Sequence, residues 1–193
     1  SDKDMEIFSG YNNLIPLFGV FSMAVFCVMS SVMYSKFVIE DYSGKRPILL
    51  FSYPVSRKKI ILSKLSVVSG VTIISMIVSN LLVFMTFGIT ENFIHLVGKD
   101  FTLPIMLKVV ENTLIMSLIA ASIGIVAVGI GFIKKSIPTT IVSAVLIASL
   151  MCNIVINASL NRVTMYVLMT VMIFVGIVFS IFLIKKVNVM EVE

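Results

Sequence analysis

Five uninterrupted apolar runs, each long enough to cross a bilayer, constrain the fold of this chain more than any other feature. No Asp, Glu, Lys or Arg interrupts them, and they fall at about 14–35, 65–87, 114–133, 137–156 and 163–184. A bilayer core needs about 20 apolar residues in a helix, and the runs lack the polar alternation of a membrane β-strand. The sequence therefore predicts an all-α integral membrane protein, a polytopic helical bundle that forms a single transmembrane domain over residues 1–193.

The composition excludes most other classes of protein. Hydrophobic residues make up 59% of the chain and charged residues 13%, whereas soluble domains carry roughly 25% charge. His95 is the one histidine, so a His-based metal cluster or a Ser-His pair cannot form within one chain. Cys27 and Cys152 lie inside apolar runs, where a thiol usually packs as a small side chain. The chain also has no phosphate-binding loop motif, so we expect no enzyme activity and no cofactor bound by this chain.

Positive charge is unevenly distributed across the predicted membrane. Alternating the runs across a bilayer places eleven Lys and Arg on one side, and only Lys3, Lys99, Lys108 and Arg162 on the other. The larger set is Lys36, Lys45, Arg46, Arg57, Lys58, Lys59, Lys64, Lys134, Lys135, Lys185 and Lys186. Since short loops rich in Lys and Arg stay in the cytoplasm, we predict a multi-pass protein of the cell membrane with a cytoplasmic C-terminus and a cytoplasmic loop at 40–59. An external loop at 88–104 is expected to form a short surface or re-entrant helix.

The net charge of +5 then reflects topology and attraction to anionic membrane lipid. No basic patch is interleaved with aromatic residues, so no nucleic-acid partner is expected. The head before the first run is acidic, with Asp2, Asp4 and Glu6 against Lys3, and it shows no signal-peptide pattern. Because an external head needs an earlier span to reach that side, we expect one further transmembrane helix before Ser1, which makes six.

The segment 40–59 is the largest charged segment between two apolar runs. Glu40 and Asp41 end the first run, an apolar patch follows at 48–51, and Pro54 precedes a basic stretch. Apolar residues beside basic ones are favoured in the headgroup region of a membrane. The pattern therefore predicts a short amphipathic helix that either anchors the chain at the interface or docks a partner. Ser56 is a candidate N-cap for the next helix.

These residues resemble the cytoplasmic motif of the ABC-2 type permease family, the membrane subunits of many bacterial ABC exporters. The resemblance covers the stretch 40–64 and rests on Glu40 followed by Gly44, on Leu49-Leu50, and on Tyr53-Pro54-Val55-Ser56-Arg57 with Lys64 after it. Pro47 departs from the family pattern, which more often has a polar or acidic helix former there. Family members resemble a six-helix bundle with this loop between the second and third helices, so the five runs here would be helices two to six.

The resemblance implies a coupling helix that docks on a separate ABC ATPase subunit, where ATP and Mg would bind. Ile48, Leu49, Leu50 and Phe51 would make apolar contacts, Glu40, Lys45, Arg46 and Arg57 would orient the docking, and Gly44 and Pro54 would shape the turns. The chain would then be a permease subunit that pairs with a second permease subunit, identical or paralogous. The uncharged runs suit export of an amphipathic or hydrophobic substrate, such as a peptide, an antimicrobial or a lipid-like molecule. The alternative is a non-transporting membrane immunity or scaffold protein that sequesters a peptide.

Two further patterns each have two interpretations. Asn80 and Asn153 lie in the apolar runs, Asn157 lies just after one, and Asn112 lies just before one. These amides either bond between helices or line a substrate path, with Asn153 and Asn157 one helical turn apart. Small residues at Ala120, Gly124, Ala127 and Gly131 recur on one helix face. They either allow close packing within the subunit or form a dimer seam.

Overall fold

The computed structural model describes residues 11–41, 57–94, 103–159 and 161–189, which form five long α-helices. Helix α1 (Tyr11–Tyr34) continues into a π-helical turn (Ser35–Ile39); α2 is Arg57–Ile94, α3 is Leu103–Lys134, α4 is Ile137–Ala158 and α5 is Arg162–Val189. All five helices are long and apolar enough to cross a membrane. The chain is thus an all-α, multi-pass membrane protein, as its sequence predicts.

The helices are longer than the apolar runs that predict them. Helix α2 begins at Arg57 rather than near residue 65, and α3 begins at Leu103 rather than near residue 114. The added turns contain charged residues such as Lys64 and Glu111. A charge ends a hydrophobic run without ending a helix, because Lys and Glu are good helix formers.

The loop predicted at 88–104 is shorter than expected at both ends. Residues 88–94 continue α2, and residues 103–104 already belong to α3. The segment 95–102 lies outside the described residues. Gly88 does not end α2, since tertiary context and the long apolar run before it outweigh the modest helix cost of one glycine.

Helix α3 lies at the centre of the bundle. In the apolar 18-residue stretch of α3, 78% of the residues are buried. The corresponding stretches of the other four helices are at most 39% buried. Small residues explain this position: a Cβ added at Gly124 would lie 2.6 Å from Ser30 Oγ on α1, and one added at Gly131 would overlap Thr140 on α4. The small-residue face therefore packs within the subunit, which confirms the first of its two interpretations.

A buried cluster closes one end of the bundle, where α1 and α5 finish and α2 begins. Its members come from all of the helices but α4: Tyr34, Val38, Ile39, Ile61, Leu65, Val68, Val128, Phe132, Leu183 and Val187. We call this the basic end, because Lys36, Lys64, Lys134 and Lys185 are nearby in the sequence. At the opposite end, Ile15, Phe84 and Val109 pack together, so neighbouring helices run in alternating directions.

Candidate functional site

The structure provides the two anchors of the predicted coupling loop. Glu40 follows the π-helical turn, and its backbone N–H donates to the Ser35 carbonyl at 3.0 Å. Arg57 is the first residue of α2, which agrees with the predicted start of that helix. The remaining predicted coupling residues lie outside the described residues, and their roles stay predictions: Gly44, Lys45, Arg46, Ile48, Leu49, Leu50, Phe51 and Pro54.

An ion pair joins the start of this loop to α2. The Lys64 ammonium, two turns into α2, donates to the Asp41 carboxylate. Asp41 is the last described residue before the segment 42–56, and both side chains are partly buried. The sequence shows both residues but not their contact, since 23 positions separate them. The pair fixes the chain just after the π-helical turn beside α2, at a point about 10 Å along that helix from Arg57.

The base of the loop is packed into the basic-end cluster. Val38 and Ile39, in the π-helical turn, are buried in the same cluster as Ile61 of α2 and Leu183 of α5. The Tyr34 hydroxyl donates to the Leu65 carbonyl at 3.3 Å, which adds a polar link between α1 and α2. Short π-helical segments are frequent at functional sites. A displacement of the loop would therefore be transmitted to α2 and α5 through buried contacts.

Asn80 is part of a hydrogen-bond network between three helices. It is 3% exposed, accepts from Ser22 Oγ of α1 at 2.5 Å, and donates to Thr113 Oγ1 of α3 at 3.4 Å. For Asn80 the structure therefore favours hydrogen bonding between helices over a position in a substrate path. Asn112 also bonds between helices, since its Nδ2 donates to the Ile15 carbonyl of α1 at 3.2 Å.

The other two predicted path residues lie together on the outer face of α4. Asn153 Nδ2 donates to the Ser149 carbonyl at 3.3 Å, and Asn157 Nδ2 donates to the Asn153 carbonyl at 2.8 Å. All three side chains are exposed. We call Ser149, Asn153 and Asn157 the α4 stripe; Asn80, which bonds to α1 and α3, is not part of it.

A pocket of about 270 Å³ lies between α1, α3 and α5 at the opposite end of the bundle, beside Ser159 at the end of α4. Its charged and phenolic lining comes from Lys108 and Glu111 of α3 and from Arg162 and Tyr166 of α5. Tyr166 Oη donates to Glu111 Oε1 at 2.5 Å, and Arg162 Nη1 lies 3.9 Å from Glu111 Oε2. We call this the opposite-end pocket.

Sequence reasoning used Lys108 and Arg162 only to orient the chain and missed the pocket. The signal was present, because Lys108, Glu111, Asn112 and Ile115 are three or four positions apart and so share one helix face. It became visible only once α3 was seen to begin at Leu103. Within the described residues, no group of three or more His, Cys, Asp or Glu could hold a metal ion.

Among known proteins, the chain is similar to one from Bacillus subtilis (strain 168) that is described as "Uncharacterized protein YcbO". The two are 32% identical over 131 residues, which cover 68% of this chain and 58% of that protein. The chain thus spans less than two thirds of the length of this relative. No protein-family model and no solved structure matches the chain. Since the description of the relative names no activity, the function is argued from the structure and the sequence motif.

Proposed function

We propose that this chain is the permease subunit of an ATP-binding cassette exporter in the cell membrane. A separate ATPase subunit, with ATP and Mg bound to it, would dock on the cytoplasmic loop 40–59 and drive the export. The observation that carries the proposal is the Asp41–Lys64 ion pair, which joins the start of that loop to α2 at the basic end of a multi-pass bundle. Through this pair a displacement at the start of the loop would act on α1 and α2 together.

The packing of the loop base supports the same proposal. Val38 and Ile39 before the loop and Ile61 after it share one buried cluster with Leu183. Van der Waals packing of these side chains holds the helices together in the membrane, so the helices stay joined when the loop is displaced. Coupling requires that the ATPase bind two arrangements of the permease differently. A rigid basic end lets a change at the loop tilt several helices together.

The class of cargo follows from the apolar runs. None of the five contains an ionisable Asp, Glu, Lys or Arg, whereas ion-coupled carriers place such residues at membrane depth. An external energy source is therefore the better explanation for transport. An apolar interior suits an amphipathic or hydrophobic substrate, such as a peptide, an antimicrobial or a lipid-like molecule.

The α4 stripe supports pairing with a second copy of this chain. Each of the two Asn side chains gives one N–H to its own helix, while its Oδ1 has no partner among the described residues. Asn153 lies within an apolar run. An exposed amide in hydrocarbon needs a partner, and an amide carries both donor and acceptor groups. Two stripes related by a two-fold axis along the membrane normal are therefore complementary to each other.

Cysteine cross-linking tests this pairing. In a chain with Cys27→Ala and Cys152→Ala, Leu150→Cys adds a thiol beside the stripe, and Phe174→Cys adds one at similar depth on α5; both positions are 68% exposed. We expect oxidation to give dimers with Leu150→Cys and not with Phe174→Cys. Dimers formed only by the α5 variant would place the seam elsewhere.

The exporter proposal itself is tested by purifying the protein from its native membrane in mild detergent and identifying the bound proteins. We expect an ATP-binding subunit that is retained by wild type and lost in Leu50→Asp. Leu107→Asp, the same change at an exposed site on α3 near the opposite end, should retain it. If no protein with a phosphate-binding loop co-purifies under conditions that preserve a known ABC transporter, the proposal fails and peptide sequestration replaces it.

A further inference from the structure

We propose that the opposite-end pocket binds the phosphate group of an anionic phospholipid from the adjacent membrane leaflet. This site is separate from the loop base and from the α4 stripe, and it does not depend on the exporter proposal. Three properties of the pocket support it: its charge, its depth in the membrane, and its apolar wall.

The pocket carries an excess of positive charge. Lys108 and Arg162 line it together with one carboxylate, that of Glu111. One oxygen of Glu111 accepts from Tyr166, and the other faces Arg162 at 3.9 Å, beyond hydrogen-bond distance. The Arg162 side chain is 69% exposed. Among the described residues its guanidinium donates no hydrogen bond, so its N–H groups can donate to a ligand, and a planar guanidinium matches the paired oxygens of a phosphate.

The depth of both cations corresponds to the headgroup layer. Lys108 lies on the same helix as Lys134, and Arg162 lies on the same helix as Lys185. At about 1.5 Å per residue, the rise from Lys108 to Lys134 is about 39 Å and the rise from Arg162 to Lys185 is about 35 Å. A bilayer has a hydrocarbon core about 30 Å thick and measures about 40–45 Å with its headgroups. With the basic-end lysines in one headgroup layer, Lys108 and Arg162 reach the other.

The remaining lining favours a lipid over a free phosphate ion. Ile15, Pro16, Ile115 and Met165 form an apolar wall beside the charged groups. Such a wall suits the glycerol and the first methylene groups of a lipid, whereas a free phosphate ion gains nothing from it. At about 270 Å³ the pocket is slightly smaller than the usual range for ligand sites, about 300–1,000 Å³. It therefore fits a headgroup whose acyl chains lie outside, along the helices.

Fluorescence quenching by brominated lipids tests the proposal directly. The chain contains no Trp, so Val163→Trp gives a single reporter next to Arg162, at a position 68% exposed; we call this variant the pocket reporter. Ile89→Trp, at a position 60% exposed near the same end of α2, is the matched variant away from the pocket, and we call it the control reporter. Each variant is reconstituted in phosphatidylcholine vesicles that contain either brominated phosphatidylglycerol or brominated phosphatidylcholine.

We expect the phosphatidylglycerol to quench the pocket reporter preferentially, by about fivefold in relative binding for each cation that contributes. This preference should be absent in the control reporter. Adding Arg162→Gln to the pocket reporter should lower the preference about fivefold, while adding Lys185→Gln, which removes the same charge at the basic end, should leave it unchanged. Equal quenching of the pocket reporter by the two lipids, or equal preference in both reporters, would overturn the proposal.

Two further arms complete the test. Glycerol phosphate at millimolar concentration distinguishes a lipid headgroup from a soluble phosphate as the ligand. If it removes the preference of the pocket reporter for phosphatidylglycerol, the pocket is a site for soluble phosphates and the lipid assignment is wrong. Native mass spectrometry of the chain without an introduced Trp should show retained phosphatidylglycerol in wild type and its loss in Arg162→Gln. Equal retention by both would contradict the proposal even if the introduced Trp perturbs the pocket.

Discussion

The contact between α3 and α4 at Gly131 permits a quantitative test of the bundle. An alanine Cβ at this position would overlap Thr140 Oγ1 and would lie 2.8 Å from Thr140 Cβ and 3.1 Å from its Cα. The hydroxyl can rotate, but the Cα is backbone, so α4 must shift as a unit. Overpacking of this kind costs about 1–3 kcal/mol. Because a backbone atom is involved, we expect the upper half of that range.

Gly70→Ala is the matched control, since nothing lies within 4 Å of a Cβ added at Gly70. Both changes remove a glycine from a helix interior, which stabilises the helix by about 0.8–1.0 kcal/mol. The control should therefore be slightly more stable than wild type. Gly131→Ala should be less stable than the control by about 2–3 kcal/mol in the free energy of unfolding. The difference between the two variants isolates the collision with α4.

Cys27 provides a native probe for this measurement. It is fully buried between α1 and α3, so a thiol-reactive fluorophore labels it only when the bundle opens. In a Cys152→Ala background, the labelling transition on heating in mild detergent should fall in Gly131→Ala and not in Gly70→Ala. Thr140→Ala should recover part of the loss by removing the overlapping hydroxyl. Equal transitions for the two glycine variants would refute the close packing of α3 and α4.

Three further substitutions test other contacts of the bundle. Gly124→Ala approaches only side-chain atoms, at 2.6 Å for the nearest, so it should lower the thermal transition less than Gly131→Ala does; a larger effect would contradict this ranking. Asn80→Leu removes two hydrogen bonds between helices. It should lower the free energy of unfolding in detergent by about 1 kcal/mol. Unchanged stability would show that the network contributes nothing. Under the exporter proposal, Asp41→Lys should reduce substrate-stimulated ATP hydrolysis by the purified complex of permease and ATPase subunits. A second change, Lys64→Asp, should restore this activity by reversing the ion pair. A double variant as inactive as the single one would show that the pair has no role in coupling.

Hydropathy alone was sufficient to predict the five membrane-spanning helices of the described residues. The spanning segments of the structure include all five predicted runs, because a helix in lipid needs a long apolar segment whatever its neighbours are. The small residues at Gly124 and Gly131 also predicted correctly that one face of α3 allows close packing. These features depend on local sequence and on the solvent, and both are visible in a single chain.

The contacts at the two ends of the bundle could not be predicted in this way. Asp41 and Lys64 are adjacent only because α1 and α2 are antiparallel neighbours, and Glu111 meets Tyr166 across 55 positions. Pairing over such distances depends on how the helices are arranged in the membrane plane, which hydropathy does not determine. The central position of α3 also could not be predicted from hydropathy, since its apolar run is no longer than the others.

The π-helical turn at Ser35–Ile39 makes the loop sensitive to register. Such a turn contains one more residue than an α-helical turn, and each residue rotates a helix by about 100°. The wide turn absorbs the extra residue, so Asp41 leaves α1 on the side that faces Lys64. If this turn took up ordinary i to i−4 bonding with the same number of residues, Asp41 would be turned about 100° around the axis of α1, away from Lys64. A change in the hydrogen bonding of one turn, with no change in sequence, would then release the loop from its anchor.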